Sequence, residues 1–452
     1  MSLDNLPVEW LSVKISDVTV KGEQRKPNDS EEFIYVDIGS INRELKKIEN
    51  PQFLLGKNAP SRARKVIKQG DVIVSLTRPN LNAVALVGKD YDNQIASTGF
   101  EVISPKIVES KYLFNLVRTQ NFINEISKQE QGALYPAAKS SDVQAYEFPL
   151  PPLAEQQEIV RQLDVMLAQV EQIKARLEAI PAILKKFRQS VLADAVSGEL
   201  INQDFSQLPL KSFSDYLTDV RYGTSKKCSE SLIEAVPVLR IPNIADDGTL
   251  DFTNLKYAEF ESKEIKQLRL SKGDLLLIRS NGSLDLVGKS AIADELDRVV
   301  LYAGYLIRLR FNNSVNPQFI QYFLQAPQTR QIIENIARST SGVNNINSKE
   351  IASLKIQLPC IDHQNEVVLR VKQLLGVSRR LEETIQSAQK RVNLLTQSIL
   401  AKAFSGELTV EWRTQHQELI IGINSAESLL AKIQAEREAS KPVEKAKKAK
   451  VV

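Results

Sequence analysis

Two stretches of this chain carry almost the same residues 208 positions apart, and no other feature of the 452-residue sequence narrows its architecture more. Ser190–Leu200 reads SVLADAVSGEL and Ser398–Leu408 reads SILAKAFSGEL. Upstream, FPLPPLAEQQEIV at 148–160 returns as IQLPCIDHQNEVV at 356–368 with the same offset. A repeat of this length makes the chain two copies of one module, related by an approximate two-fold. Looser echoes extend it. Gly70-Asp71-Val72-Ile73-Val74 resembles Gly273-Asp274-Leu275-Leu276-Leu277, Val87-Gly88-Lys89 resembles Val287-Gly288-Lys289, and Leu6-Pro7 returns at Leu208-Pro209. Across these the offset drifts between 200 and 210, so loops differ in length. Each copy has a strict half and a variable half.

The strict half is helical. Ile159, Leu163, Met166, Val170, Ile173, Leu177, Ile180, Leu184, Phe187 and Val191 follow one another at spacings of 4 and 3, the seam of a coiled coil. The second copy gives Val367, Val371, Leu374, Ser378, Leu381, Ile385, Ala388, Val392, Leu395 and Ile399, interrupted only by Ser378. At about 1.5 Å per residue each seam spans roughly 50 Å. Pro181 lies inside the first and predicts a kink, because it has no N–H and crowds the preceding turn. Its counterpart is Gln389, so the second helix is expected to be straighter. Gly198 and Gly406 follow the last apolar turns as helix terminators. Each narrow seam needs a partner. The other helix, running antiparallel, is the economical one; packing back onto its own globular half is the alternative.

The variable halves read as α+β. Val72–Leu76 and Leu275–Ile278 are apolar runs after Gly-Asp and predict strands, as do Ala83–Val87 and Leu306–Leu309. Tyr112–Ser127 and Pro317–Ile336 carry helical periodicity, the latter with Asn316 as cap and Pro317 at its first position. Residues 132–142 and 342–349 read as polar loops before a final strand.

Charge is nearly balanced, 59 Lys and Arg against 55 Asp and Glu, so the net +4 says little about partners. Its distribution says more. Lys21, Arg25, Lys26, Lys57, Arg62, Arg64, Lys65 and Lys68 enrich the first variable half; Arg221, Lys226, Lys227, Arg240, Lys263, Lys266 and Arg269 enrich the second. Such clusters either neutralise phosphates or form a solvated face. The stretch KPVEKAKKAK at 441–450 reads as a disordered basic tail. Apolar runs are too short for a membrane span. The start, MSLDNLPVEW, lacks the basic-then-apolar pattern of a signal peptide. Cys228 and Cys360, the only cysteines, give no disulfide framework and fit the cytoplasm.

A search for catalytic chemistry finds none. The two histidines, His363 and His416, have neither triad partners nor metal-ligand spacing. No cysteine cluster suits zinc. GSLDLVGKS at 282–290 has five residues between its glycines where a phosphate-binding loop needs four, and reads as a turn between strands. No Gly-x-Gly-x-x-Gly fingerprint marks a dinucleotide or S-adenosylmethionine site.

Two variable α+β modules, two near-identical long helices, LPPLAEQQEIV at 150–160 and the two SGEL endings together resemble the specificity subunits of type I restriction–modification enzymes, over the whole chain. The resemblance implies an α+β fold with two globular target-recognition domains, at 1–149 and 202–357. Between them it implies a central spacer helix at 150–201 and a distal one at 358–409, antiparallel and coiled, with a helical segment and basic tail at 410–452. It implies a non-catalytic subunit that reads a bipartite double-stranded DNA target and docks two methyltransferase subunits, joined by restriction and motor subunits. The chain itself would carry no cofactor; S-adenosylmethionine would sit on the methyltransferase. The alternative from the residues alone is a scaffold with two protein-binding modules on a coiled-coil rod. Leu408-Thr409-Val410-Glu411-Trp412 also repeats Leu6-Pro7-Val8-Glu9-Trp10, so the end of the second copy resembles the start of the first. The apolar face at 415–439 then either packs near the N-terminus or grips a methyltransferase subunit.

Base edges are read by Arg on guanine and by Asn or Gln on adenine. The loops after the Gly-Asp strands carry such groups: Thr77, Arg78, Asn80 and Asn82 in the first copy, and Arg279, Ser280, Asn281 and Ser283 in the second. Tyr135 and Lys139, with Ser341, Asn344 and Asn345, occupy a second pair of loops. In a third pair Tyr35 and Asp37 are matched to Arg240 and Asn243. All are candidate DNA contacts, and each is also a residue type that makes turns.

Overall fold

A computed structural model describes residues 6–128, 137–230, 235–294, 296–338 and 342–439. The chain divides into two compact units. The first holds residues 1–176 and 388–452, the second residues 177–387.

The first unit is built on two four-stranded sheets. In one, Thr19–Val20, Phe100–Pro105, Val72–Ser75 and Val84–Leu86 lie side by side, all antiparallel. Val72, Ile73 and Val74 are buried, which is why that strand reads as an unbroken apolar run rather than an alternating one. The other sheet orders Gln52–Leu55, Glu32–Val36, Gln94–Ser97 and Ala63–Ile67, with one parallel pair at Ile95 and Tyr35. Leu11–Lys14 pairs with Glu147–Leu150 and ties the start of the module to its end.

The second unit follows the same plan. Leu217–Tyr222, Leu306–Phe311, Leu275–Ile278 and Ser290–Ile292 form an antiparallel sheet. Lys256–Ala258, Val236–Leu239 and Leu301–Tyr302 form the other, again with one parallel pair, at Val238 and Leu301. Leu210–Ser212 closes against Lys355–Gln357. The Gly-Asp echo has a local cause in both units. Gly70 and Gly273 take φ of +90° and +86°, which a side chain resists. Asp71 and Asp274 then accept from the amides of Lys68 and Ser271, at 2.8 Å each.

Both predicted helices are in fact pairs. Residues 112–127 divide into Ser110–Leu116 and Gln120–Ser127, the second capped by Thr119, which accepts from the Phe122 amide. Residues 317–336 divide into Pro317–Gln325 and Pro327–Ala337. Ala326 is extended because a following proline disfavours the helical conformation. Asn316 caps the first of that pair as expected, accepting from the Gln318 amide at 2.9 Å.

Leu153–Ser197 and Ile361–Ser405 are the long helices, 45 residues each. The first runs through Pro181 without a break. Gly198 and Gly406 end them with φ of +92° and +81°. The helices are antiparallel partners within each unit. In the second unit Arg188 meets Ser378 and Glu382, whereas Val191 and Leu192 share a core with Val367 and Val371. In the first, Glu155 meets Thr409 and Arg413, and Val170 borders one cavity together with Val392 and Leu400. Pairing and packing onto the module are therefore not exclusive: in the second unit the same helix ends complete the globular core. Ile173, Phe187, Leu381 and Leu395 stay exposed, so the seam is not closed along its whole length. Ser378 does not weaken it. It is buried and its hydroxyl accepts from Arg188 Nε at 3.0 Å, while Arg188 Nη2 pairs with Glu382 at 2.6 Å.

The strictness of the repeat has a physical reason at Gln156 and Gln364, both fully buried. Gln156 Oε1 accepts from the Glu109 amide at 3.0 Å and its Nε2 donates to the Pro151 carbonyl at 2.8 Å. Gln364 does the same with the Asn316 amide at 2.7 Å and the Pro359 carbonyl at 2.8 Å, and also reaches the Ser314 carbonyl. Each glutamine pins the start of a long helix to the entry of its module's helix pair. Gln364→Leu strands three backbone groups and is expected to lower stability by at least about 2 kcal/mol. Urea denaturation of the full chain measures this, and a midpoint equal to the parent's would remove the glutamine from the account.

Candidate nucleic-acid interface

In the second unit two of the loops singled out by sequence become one two-stranded ribbon. Ser280 pairs with Asn345 and Asn281 with Asn344, antiparallel. Its base is anchored by backbone bonds: Arg279 N donates to Tyr305 O at 2.9 Å, and Ile346 N donates to Arg279 O at 2.8 Å. The Arg279 guanidinium is held in one plane. Nε and Nη2 donate to Asn345 Oδ1 at 3.2 and 3.1 Å, and the group lies 4.6 Å from the centre of the Tyr222 ring. Tyr222 is itself fixed, its hydroxyl accepting from the Ser348 amide at 2.8 Å and donating to the Ser348 hydroxyl at 3.0 Å. A guanidinium has five N–H donors, so about three remain for a ligand. Ser283 is exposed, whereas Ser280 is half-buried within the ribbon. Asn281 Oδ1 accepts from Ser283 N, and Asn344 Nδ2 donates to Gly282 O, so both amides help shape the turn.

The first unit joins the matching loops at matching bonds. Leu76 N donates to Gly99 O at 2.8 Å, Ala138 N donates to Leu76 O at 2.7 Å, and Thr77 bridges to Ala137. Leu76, not Arg78, is thus the positional equivalent of Arg279. Arg78 sits two residues further out with φ of +50°, exposed alongside Thr77 and Asn80. Ile38, Arg43, Thr77, Arg78, Leu81 and Ala83 line a cleft of about 290 Å³. Lys139 is exposed, with its amide donating to Asp142. Tyr135 and Ser341 lie outside the described residues.

Two candidates are structural. Asn82 is only 6% exposed; its Nδ2 donates to Val117 O at 2.8 Å and its carbonyl accepts from Lys46 Nζ at 2.7 Å. Asn243 is 2% exposed, accepting from the Arg240 amide and donating to the Asp251 and Thr253 carbonyls. Asn243 has no amide proton left for a base, and burial keeps the Asn82 side chain from reaching one. The third loop pair also aligns differently from expectation. Asp37 and Arg240 open equivalent turns, closed by Ser40 and Asn243, with Asp37 Oδ1 accepting from Ser40 N. Arg240 Nη2 donates to Asn254 O, which turns that side chain toward its own loop.

Several basic residues of the charge clusters are neutralised inside the protein. Arg25 grips Glu31 through two bonds of 2.8 and 2.6 Å, holding that carboxyl below its usual range. Lys65 pairs with Glu101 at 2.9 Å and Lys226 with Glu264 at 2.7 Å. Sequence reasoning missed Tyr222, Ser348 and Arg43, and also Tyr305, which is 63% exposed beside Arg279. The only signals were an Arg-Tyr-Gly step at 221–223 and a Gly-Tyr step at 304–305. Among the described residues no three His, Cys, Asp or Glu side chains gather as metal ligands, and no helix is long and apolar enough to cross a membrane.

Residues 7–182 and 223–389 match the family model for the type I restriction modification DNA specificity domain. The chain is 35% identical over 464 residues to the specificity subunit of the type I restriction enzyme EcoKI of Escherichia coli, covering 97% of this chain and 98% of that one. It is 32% identical to the StySPI specificity subunit of Salmonella potsdam with the same coverage. Among solved structures, a chain from a study of complex assembly and conformational transition in a type I restriction–modification system superposes with a TM-score of 0.73 at 28% identity, covering 88% of this chain and 98% of that one. The HsdS subunit of Thermoanaerobacter tengcongensis gives 0.65 at 28% identity, covering 89% and 98%.

Proposed function

Because this chain belongs to the family of type I restriction–modification DNA specificity subunits, we propose that it reads its target with the two loop pairs just described, one in each unit. The observation that carries the proposal is the repetition of one backbone frame with different side chains upon it. Ala138 N bonds Leu76 O in the first unit as Ile346 N bonds Arg279 O in the second. Outward from those bonds lie Thr77, Arg78, Asn80 and Lys139 in one case and Arg279, Ser283 and Asn345 in the other. A common frame with exchanged polar groups is what two different half-sites require, since phosphate contacts position a protein and base contacts specify the sequence. Target-recognition domains at 1–149 and 202–357, spaced by the helices, would divide the bipartite site between them.

In this reading the subunit guides chemistry performed elsewhere. Methyltransferase subunits, two per chain, supply S-adenosylmethionine and the methyl-transfer site; motor and nuclease subunits complete the restriction complex, in the cytoplasm. The chain's own part is to position DNA. Purified alone it is expected to transfer no methyl group to DNA. Combined with its methyltransferase partner it is expected to methylate one bipartite sequence, which base-resolution mapping of modified DNA would display. Binding of that sequence should weaken steeply with salt, by a slope of about 0.9 per phosphate neutralised. Salt-insensitive binding without sequence preference would instead favour a protein scaffold.

A further inference from the structure

Within the first unit, a cavity of about 220 Å³ opens where the far end of the reading loop meets the paired helices. Lys46 and Glu44 reach it from the turn after Ile41–Asn42, Asn82 from the reading loop and Arg118 from the break between the two short helices. Glu171 and Lys174 come from the first long helix, and Asn393, Thr396 and Gln397 from the second. Its cations are poorly compensated. Among the described residues Lys46, Arg118 and Lys174 form no ion pair, and Glu44 and Glu171 are exposed. Lys46 Nζ donates one bond, to Asn82 O, leaving two protons. Arg118 donates from Nη1 to Asn115 Oδ1 and lies 5.1 Å from the Phe114 ring centre. The second unit balances its own turn and helix differently. There Arg379, the repeat counterpart of Glu171, pairs with Asp247 at 3.1 Å.

We propose that this cavity is a phosphate site, in which Lys46, Arg118 and Lys174 hold one anionic oxygen cluster and couple the reading loop to the helices. The electrostatics support it. Burial pushes the Lys46 ammonium down to about 8, with Arg118 and the nearby Arg43 adding repulsion. Burial also lowers the Arg118 guanidinium, opposed by Glu171 and Asp164. The facing groups of the second long helix do not titrate. A half-buried cation that forms no ion pair is unfavourable, and an anion relieves it. The phosphate is either a backbone group of the target DNA, in which case the inference rests on the recognition role above, or free phosphate.

Two arms separate these sources. In the first, melting of the full chain is followed in phosphate and in chloride at equal ionic strength. In the second, the chain assembled with its methyltransferase partner binds DNA over a salt series. A backbone phosphate predicts no specific effect of free phosphate, but a salt slope lowered by about 0.9 in Lys46→Met with base preference unchanged. Lys46→Arg should keep the parental slope. A free-phosphate site predicts a saturable rise in melting temperature, lost in Lys46→Met. The parent needs no variant for a further check. Since a bound anion raises the Lys46 ammonium, DNA binding should take up protons near pH 8 and weaken as pH rises through that value. If free phosphate has no effect, Lys46→Met keeps the parental slope and the parent takes up no protons near pH 8, the proposal is overturned. A parental complex without salt-dependent DNA binding would instead refute the recognition role, leaving the melting arm to decide on the cavity.

Discussion

Replacing Glu155 by alanine is expected to destabilise the first unit by about 3–5 kcal/mol, the loss typical when one partner of a buried charge pair is removed. Glu155 has no exposed surface, and its carboxylate accepts from three side chains. Oε2 accepts from Trp10 Nε1 at 2.8 Å; Oε1 accepts from Thr409 Oγ1 at 2.7 Å and from Arg413 Nε at 2.9 Å. Arg413 also lies over the Trp10 ring and donates to the Gly406 carbonyl at 2.7 Å. One carboxylate thus ties the N-terminal segment, the first long helix and the segment after the second. Without it a buried guanidinium, an indole N–H and a hydroxyl lose their acceptor together. The repeat supplies the control. At the equivalent positions of the second copy, His363 replaces Glu155 and Phe205 replaces Arg413, and the two rings stack 6.3 Å apart. Glu155→His with Arg413→Phe should therefore lose less than Glu155→Ala. Chemical denaturation gives both values; a Glu155→Ala chain within about 1 kcal/mol of the parent would show the knot to be incidental.

This knot marks the boundary of what sequence reading could reach. The echo of Leu6–Trp10 in Leu408–Trp412 announced that the chain ends belong together, and the structure gives that echo content: Pro7 lies against Gly406 and Trp10 under Arg413. The helix Ala426–Ala439 returns to the N-terminal region, with Arg437 donating to the carbonyls of Ser16 and Asp17 and Lys106 pairing with Glu436. Heptad spacing and the Gly-Asp strands were legible because periodicity records burial directly. The helix breaks at Val117–Thr119 and Ala326 were not read, since apolar spacing runs on through a one-residue or three-residue interruption. Which loop side chains stay exposed was half legible. Asn82 and Asn80 look alike in sequence, but only the fold shows that one amide is spent on Val117 O. Tyr222 escaped because its role depends on Arg279, 57 residues away.

That dependence makes Arg279 the most informative position for recognition. Arg279→Ala in the assembled complex is expected to weaken binding of the parental target by about 1–3 kcal/mol and to relax preference at a guanine in the half-site read by the second unit. Arg279→Lys should behave almost as badly at that base, because an ammonium cannot make the planar two-pronged contact, while keeping the salt dependence of the parent. Tyr222→Ala and Asn345→Ala test the positioning. Each removes one restraint on the guanidinium and leaves its charge, so base preference should blur while overall affinity for DNA falls little. The first unit offers the contrast: its equivalent of Arg279 is Leu76, so Arg78→Ala should affect only the other half-site, through a group displaced by two residues. Mapping the bases modified by each variant, with competition binding against single-base changes, reports the two half-sites separately. If Arg279→Ala and Arg279→Lys both methylate the parental sequence with parental discrimination, the ribbon of the second unit holds DNA without reading it.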